Sequence, residues 1–536
     1  MNKNIIKSIL FGSVLLTSCN RDLLSPYTPG ALTQEVAIKN VSDLSLLLNS
    51  AYSAVNSRTE SEEVSVFTDE CGIGYANGGQ GISNDNEYFF LMTPQVLLPN
   101  ALWGSDYVAL AYINRVIAFS ATVPTGSASD EITRKQVLAQ AYALRAYCHL
   151  QILSYFTTDM TSDTALAGIL ADRVFDVTAA SNRQRATNKQ FYDLIQADCN
   201  QSVAIYNSLG AAGLDKTTAN KFFALGLKAR AYEYKGDYPN AEIYANQVIA
   251  QSGLILANSA AAYQRVFFTD DEALNVETIF RLKRTPLQNG QPFSLHNAWC
   301  SITPNFTGSP FYEISRALFN KVAANNTFDA MKNPAYTDVR YRTMVAPTSK
   351  IDANYSTSSD YRNSDVLVIN KHGGTAIGST TAATTASPGF NNDIKIMRLS
   401  EMYLIRAEAR AAASDLPGAA AAVNEIRQVR IFPNLTTGTP ALPLQVYSSP
   451  TDAWKGILDE RRIEFAFEGY RFIDLKRIGT KAGAKLDRDP ADYTSSSANY
   501  PAANPVNLPL TSNKFALPIP QVELTSNNVI TQNPGY

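Results

Sequence analysis

Apolar residues recur every three or four positions along several stretches of the chain, which is the spacing of one face of an α-helix. The first stretch, residues 42–57, carries Leu44, Leu48 and Ala51 in this register. Further stretches of the same kind are residues 105–121, 131–155 and 188–206. The pattern therefore predicts a mainly α-helical protein.

Two helical segments are similar enough to form an internal repeat. Residues 228–249 align without gaps on residues 406–427. In both copies an Asp-x-Pro corner separates two alanine-rich halves, and the corner begins at Asp237 in the first copy and at Asp415 in the second. Small residues let antiparallel helices approach closely, and proline suits the first turn of a helix. This is the pattern of a tetratricopeptide hairpin, and it predicts a right-handed superhelix of such hairpins.

Two regions lack helical periodicity. Residues 61–100 and 257–388 are rich in Gly, Asn, Thr or Pro, and aromatic residues are scattered through them. Short β-like runs occur in the second region at residues 277–282 and 365–370. Because stacked helices can hold variable loops in place, binding residues of repeat proteins often lie on such loops. We therefore expect an irregular, loop-rich lobe that binds the ligand.

Residues 460–477 combine a helical pattern with many charges. Glu460, Glu464 and Glu468 recur every four residues, so they would share one stripe of a helix that ends at Gly469. A pair of carboxyls catalyses glycoside hydrolysis when their environments differ. These glutamates lack such asymmetry and stand among arginines. We interpret them as structural ion pairs, and a lipid-anchored glycosidase that uses them is the alternative.

This stretch and two others resemble a known family. ERRIEFAFEGYRFIDLKR at residues 460–477, RLSEMYLIRAEA at 398–409, and residues 515–536 with PIPQVEL and QNPGY are similar to the SusD/RagB family. The resemblance implies a lipoprotein without catalytic activity or cofactor, which captures an oligosaccharide for a SusC-like TonB-dependent outer-membrane transporter. Peptide capture, as in the RagB branch, is an alternative ligand class. A purely structural lipoprotein is a third possibility.

The amino terminus has the pattern of a lipoprotein signal peptide. Lys3 and Lys7 precede an apolar run, residues 9–16, that is too short to span a bilayer. The motif LTSC follows and reads as a lipobox. We therefore predict that residues 1–18 are removed and that acylated Cys19 anchors the chain. Together with the family resemblance, this implies an outer-membrane protein that faces the cell surface.

The predicted domain organisation follows from these patterns. After the signal peptide, residues 19–256 form an amino-terminal helical region with a loop insertion at 61–100. Residues 257–536 form the carboxy-terminal region. Its irregular lobe covers residues 257–388, and its helical part covers residues 393–480.

Charge and motif content narrow the possible chemistry. The chain has 46 Lys and Arg against 48 Asp and Glu, a formal charge of −2, so no electrostatic attraction to nucleic acid is expected. Its three histidines are scattered, and no zinc or nucleophile motif frames them. We therefore predict neither a metal site nor a catalytic site. Residues 84–87 are rich in oxygen ligands, but they lack the EF-hand spacing and read as a solvated turn.

The cysteines and two tryptophans carry structural predictions. Cys148 and Cys199 fall in helical patterns, which predicts buried thiols. A disulfide among the four cysteines after Cys19 remains open. Trp103 and Trp454 lie in or beside helical patterns, so we expect both to pack in the core.

The ligand-contacting residues are predicted within the irregular regions. A sugar offers an apolar ring face and a rim of hydroxyls, so its receptor needs an aromatic platform with polar groups nearby. Trp299 is the first candidate for that platform, with His296, Tyr75 and Asn77 as companions. The alternative is that Trp299 packs in the core, because large aromatic residues are mostly buried.

Overall fold

The computed structural model describes most of the chain from residue 38 onward. The residues it describes are 38–55, 57–73, 87–175, 182–210, 214–283, 312–323, 338–346, 349, 367–371, 393–431, 444–489 and 507–536. Within them α-helices dominate and the strands are short. The predicted mainly α fold is therefore confirmed.

The helices up to residue 251 cover the helical stretches predicted there, but the helix predicted over residues 42–57 ends at Ala54. They are α1 (Val41–Ala54), α2 (Ser57–Phe67), α3 (Leu97–Ser120), α4 (Ala128–Phe156), α5 (Asn188–Ser208), α6 (Lys221–Lys235) and α7 (Tyr238–Gln251). The expectation that residues 61–100 are irregular is wrong at both ends, because α2 extends into this region and α3 begins within it. Helix α2 is rich in Ser and Glu, yet Val64, Val66 and Phe67 are fully buried.

The remaining elements described include eight α-helices and four short strands. The helices are α8 (Ala260–Phe268), α9 (Arg316–Ala323), α10 (Val339–Met344), α11 (Leu399–Ala412), α12 (Leu416–Arg430), α13 (Pro450–Glu464), α14 (Arg471–Ile478) and α15 (Gln521–Ser526). The strands are β1 (Cys71–Gly72), β2 (Thr278–Leu282), β3 (Glu313–Ile314) and β4 (Ile394–Arg398). Strands β1 and β3 pair antiparallel, and so do β2 and β4. The β-like run at 277–282 is thus confirmed as β2. In the described part of 365–370, Ile369 forms an isolated bridge with Val345 instead of a strand.

The predicted repeat is present as two helical hairpins, α6–α7 and α11–α12. In each hairpin the aspartate of the Asp-x-Pro corner caps the second helix. Asp237 accepts the backbone N–H three residues further on at 3.3 Å, and Asp415 does so at 2.9 Å. Helix α7 packs against α11, and Arg410 pairs with Glu242 between them. The same local sequence thus forms the same local structure twice.

Helix α13 ends earlier than predicted. Its last residue is Glu464, and a turn covers residues 465–469. Phe467 and Gly469 have left-handed φ angles of 62° and 86°, which a continuing helix does not allow. The prediction that the helix runs to Gly469 is therefore wrong, and Glu468 lies beyond the helix that carries Glu460 and Glu464.

A continuous apolar core joins the hairpins to the β2–β4 sheet. Phe223 of α6 packs against Phe280 of β2 with ring centroids 4.4 Å apart. Gly226 lies so close to β4 that an added Cβ would be 2.4 Å from the Met397 sulfur. Through this sheet, helix α6 of the first hairpin contacts the irregular lobe, which contains β2.

The packing predictions for tryptophan and cysteine are confirmed. Trp103 and Trp454 are 3% and 7% exposed, and both belong to the core. Cys148 and Cys199 are buried free thiols.

Candidate functional site

The residues predicted to contact ligand or lipid lie outside the described residues. They are Tyr75, Asn77, His296, Trp299 and Cys19. The structure does describe the chain on both sides of the loop segments that contain four of them. Ile73 and Glu87 flank residues 74–86, whereas Lys283 and Tyr312 flank residues 284–311.

The flanks of these two segments meet at a short antiparallel sheet. In the β1–β3 pair, Gly72 lies opposite Glu313, so the chain leaves β1 where it enters β3. The ring of Tyr88 lies 5.5 Å from the ring of Tyr312, centroid to centroid. Residues on both sides of 74–86 are therefore close to the residue that follows 284–311.

A third segment joins the same junction. The Leu367 N–H donates to Oε2 of Glu313 at 2.6 Å, and the Ile314 N–H donates to the Leu367 carbonyl at 3.0 Å. Glu313 is 2% exposed. We call this junction the loop base and define it as residues 71–73, 87–90, 312–315 and 367–371. The loop base thus brings both described ends of residues 74–86 together with the described end of residues 284–311.

An aspartate connects the loop base to α13 and α14. The backbone carbonyl of Asp69 accepts from Ser315 Oγ at 2.6 Å. Its carboxylate accepts two bonds from Arg471, at 2.7 and 2.8 Å, and pairs with Arg462 at 3.4 Å. Although burial raises the pKa of Asp69, the charges of Arg462 and Arg471 hold it far below its usual range. An ionised carboxylate thus joins the loop base to residues 460–477, which we call the charged stretch.

Arg488 closes the loop base from the other side. Its guanidinium donates to the backbone carbonyls of Val66, Phe67, Thr68 and Tyr88 at 2.7 to 3.0 Å. It also lies over two rings of the 87–90 segment, 4.4 Å from the Tyr88 centroid and 4.1 Å from the Phe90 centroid. One guanidinium therefore ties the end of α2 to the segment that follows residues 74–86.

The glutamates of the charged stretch are all paired. Oε1 of Glu464 accepts from Arg398 at 2.8 Å and from Arg430 at 2.9 Å, and its Oε2 accepts from Arg430 at 3.1 Å. Glu468 accepts two 2.8 Å bonds from Arg398 and pairs with Lys371 at 2.7 Å. These five side chains are at most 7% exposed.

Glu460 and Glu277 extend the same cluster. Glu460 pairs with Arg340 at 2.5 Å and with Arg427 at 2.9 Å. Glu277 pairs with Arg398 and Arg430, each at 2.8 Å. The cluster therefore joins α10, β4, α12 and α13.

This arrangement does not suit acid catalysis. Burial raises the pKa of Glu464, but Arg430 and Arg398 outweigh it and hold that pKa well below its usual range. Lys371 and Arg398 likewise lower the pKa of Glu468 against the effect of burial. A glycosidase needs one carboxyl that is protonated at working pH. The predicted structural ion pairs are present, and these two carboxylates are held in the ionised form.

Arginines of the same stretch face the helical hairpins. Arg477 donates two bonds to Glu408 of α11, at 2.7 and 2.9 Å, and pairs with Glu233 of α6 at 3.3 Å. Arg461 pairs with Glu233 at 3.2 Å and with Asp474 at 2.8 Å. The charged stretch thus pairs through its glutamates with α10, β4, α12 and Lys371, and through Arg461 and Arg477 with the hairpin helices α6 and α11.

Two kinds of feature are absent from the described part of the chain. No group of three or more His, Cys, Asp and Glu side chains there is arranged to hold a metal ion. None of the helices described is both long and apolar enough to cross a bilayer.

Comparison with known proteins gives consistent matches. Residues 318–536 match the SusD family. SusD-like protein P2 of Formosa agariphila is 22% identical over 98% of this chain and 99% of its own. A SusD superfamily protein from Bacteroides vulgatus has a TM-score of 0.69 at 21% identity, covering 93% of this chain and 99% of its own. A laminarin-binding SusD-like protein has a TM-score of 0.65 at 20% identity, covering 93% and 100%. At such identities the structural matches establish the fold.

Proposed function

We propose that this protein, whose residues 318–536 match the SusD family, captures an oligosaccharide and does not transform it. The observation that carries the proposal is the loop base, where both described ends of residues 74–86 meet the described end of residues 284–311. Buried charges fix that junction to the helices. Such a framework lets the loop segments vary while their roots keep one geometry.

The proposed ligand contacts are Trp299, His296, Tyr75 and Asn77. Trp299 and Tyr75 supply ring faces for a sugar, and Asn77 and His296 supply hydrogen-bonding groups for its hydroxyls. The β1–β3 pairing supports this grouping. The segment that carries Tyr75 and Asn77 starts beside the end of the segment that carries His296 and Trp299. A laminarin-binding relative in fold supports a glycan as the ligand class.

We also propose the setting in which capture occurs. Acylated Cys19 anchors the protein in the outer membrane, where it faces the cell surface and passes its ligand to a SusC-like TonB-dependent transporter. The basic start, the short apolar run and the LTSC motif support the anchor. The family resemblance supports the transporter.

The proposed site is tested by comparing two tryptophans. Trp299→Ala is expected to weaken glycan binding by about 1 to 3 kcal/mol, the range for a ring stacked on a flat ligand. Trp454→Ala, the matched control, removes a core side chain and is expected to cost about 3 to 5 kcal/mol of folding stability while the folded fraction still binds. Isothermal titration calorimetry after a glycan panel measures affinity, and urea denaturation measures stability.

Two outcomes would overturn this proposal. If Trp299→Ala loses stability and retains affinity, Trp299 belongs to the core and the ligand site lies elsewhere. If peptides bind and glycans do not, the ligand class is the RagB-type alternative.

The anchor is tested separately. Cys19→Ala is expected to move the protein from the outer-membrane fraction to the soluble fraction, because acylation supplies the membrane affinity. Fractionation with a high-salt wash checks this, with the unchanged chain as control. A Cys19→Ala variant that stays with membranes in high salt would contradict lipid anchoring.

A further inference from the structure

A cavity of about 330 Å³ lies between α3, residues 169–175 and α15. None of its lining residues belongs to the loop base. Its polar and aromatic lining consists of Tyr107, Asn114, Arg115, Phe175, Arg183 and Glu523, with Arg173 at the rim. Alanine, isoleucine and valine side chains complete the wall. This volume is near the lower end of ligand pockets, which span about 300 to 1,000 Å³, and suits a single ring.

The wall on the α3 side is already fixed by its own hydrogen bonds. The Tyr107 hydroxyl accepts the Ile169 N–H at 2.6 Å and donates to the Ile169 carbonyl at 2.8 Å. Asn114 Nδ2 donates to the carbonyls of Ala171 and Arg173 at 2.8 and 3.1 Å. These hydrogen bonds engage Tyr107 and Asn114, so ligand binding would depend on the arginine side chains.

Arg183 is held in place without an acceptor for its buried Nε among the described residues. Its guanidinium lies 3.4 Å from the centroid of the Phe175 ring. Its backbone carbonyl accepts from Asn527 Nδ2 at 2.9 Å, and the same amide donates to Glu523 at 2.9 Å. A buried N–H without a partner is unfavourable. A ligand that supplies an acceptor would satisfy it.

The charges of the lining favour an anion. Three arginines, Arg115, Arg173 and Arg183, line the cavity. Arg173 pairs with Asp172 at 2.9 Å and Arg115 donates to the Ala111 carbonyl at 2.7 Å, which leaves Arg183 for a ligand. The one carboxylate among the described lining residues is that of Glu523. Each oxygen of that carboxylate already accepts a bond, from Trp103 Nε1 at 3.2 Å and from Asn527. Planar guanidiniums bind carboxylates through paired hydrogen bonds.

We propose that this cavity binds a carboxylate carried on a six-membered ring. The ring lies against the apolar wall, and the carboxylate accepts from Arg183. Such a group can come from a free aromatic acid or from a uronate unit of an oligosaccharide. The inference uses a different cavity from the proposed glycan site and does not depend on it.

Calorimetry on the full mature chain in detergent micelles tests the proposal with two acids and their neutral counterparts. The probes are benzoate against benzamide, and glucuronate against glucose. At least one acid is expected to bind roughly 10-fold tighter than its neutral counterpart, since only the acid uses the guanidiniums. Binding of benzoate identifies an aromatic acid as the source, and binding of glucuronate identifies a sugar acid.

Variants assign the binding to the cavity. Arg183→Gln is expected to weaken the acid roughly 10- to 100-fold, the usual effect of losing charge-assisted hydrogen bonds. Arg183→Lys keeps the positive charge but loses the planar guanidinium. Its affinity for the acid should lie between those of the unchanged chain and Arg183→Gln. Arg134→Gln is the matched control, because Arg134 pairs with Glu131 on α4 and should leave affinity unchanged. Trp299→Ala should also leave it unchanged.

Three results would overturn the inference. The first is that neither acid binds. The second is that each acid binds no tighter than its neutral counterpart. The third is that affinity for the acid is unchanged in both Arg183 variants. If Arg183→Gln does not fold, the lysine variant alone decides between the cavity and another site.

Discussion

The helical hairpins and the loop base are stabilised by different physical means. The hairpins bring helices together over fully buried alanines such as Ala229, Ala241 and Ala407. The loop base instead buries charge, including Glu313 at 2% exposure and Lys371 at 0%, and the buried Asp69 and Arg488 hold it in place. The hairpins therefore depend on side-chain volume, and the loop base depends on the pairing of charges.

The charged stretch between them combines both roles. Its glutamates pair with arginines of α12 and β4, and its arginines pair with glutamates of the hairpins and with Asp69 beside the loop base. Buried charges are tolerated when each has a partner, and loss of one partner leaves the other exposed to a low-dielectric interior. This stretch is accordingly where a single charge change should affect the fold most.

Glu464→Gln is expected to have the largest effect. It removes the negative charge that Arg398 and Arg430 share, and breaking a buried pair typically costs about 3 to 5 kcal/mol. Urea denaturation measures the change. Glu425→Gln is the matched control, because Glu425 is half-exposed beside Arg406 and should matter by less than about 1 kcal/mol. Equal stability losses in the two variants would remove the distinction between the regions.

Two buried groups, one beside the loop base and one against the end of α4, should make the stability respond oppositely to pH. Burial, with the charge of Asp69, raises the pKa of Glu70 beside the loop base to about 8 from its usual 4.5. Its stabilising contribution is full below pH 4.5 and is lost as pH rises through 8. Glu70→Gln, which resembles the protonated form, should flatten this decline in a series of denaturation curves. An unchanged decline would assign it to another group.

Lys476 provides the opposite trend at the helical side. Its Nζ donates to the carbonyls of Ser154 and Thr157 at the end of α4, at 2.7 and 2.6 Å. Burial lowers its pKa to about 7 from 10.5. Its contribution is full above pH 10.5 and is lost as pH falls through 7. The free energy of unfolding should therefore rise from pH 7 to 10.5, and Lys476→Met should remove that rise. A variant with the same slope would contradict this assignment.

The smallest effects are expected within the hairpins. Asp237→Ala and Asp415→Ala each remove an N-cap, which costs typically about 1 kcal/mol. Since the two caps belong to separate hairpins, their effects should nearly add in the double variant. Thermal and urea denaturation check both values. A cap whose loss costs nothing would show that the two hairpins are not equivalent.

Local signals predicted the helices and the repeat. The spacing of Leu44, Leu48 and Ala51 was enough for α1, and the Asp-x-Pro corners were enough for both hairpins. Helix α2 was missed because its polar composition hides three buried positions. The end of α13 was misplaced because the left-handed backbone at Phe467 has no sequence signature comparable to glycine.

The partners of the charged stretch could not be predicted. The glutamate spacing indicated ion pairs, but Arg340 lies 120 residues before Glu460, and only the fold brings them together. Arg488 has no local pattern at all, although it donates to three carbonyls at the end of α2 and to the Tyr88 carbonyl of the loop base. Trp299, His296, Tyr75 and Asn77 stay predictions, since they lie outside the described residues.

Glycan binding and glycan turnover, measured together on the unchanged chain and on Glu464→Gln, test the central claim most directly. Calorimetry reports affinity, and a reducing-end assay on the same panel reports hydrolysis. We expect binding without new reducing ends, and the same affinity in the folded fraction of the less stable variant. Release of reducing ends that disappears in a stably folded Glu464→Gln would contradict the account and make the protein a glycosidase.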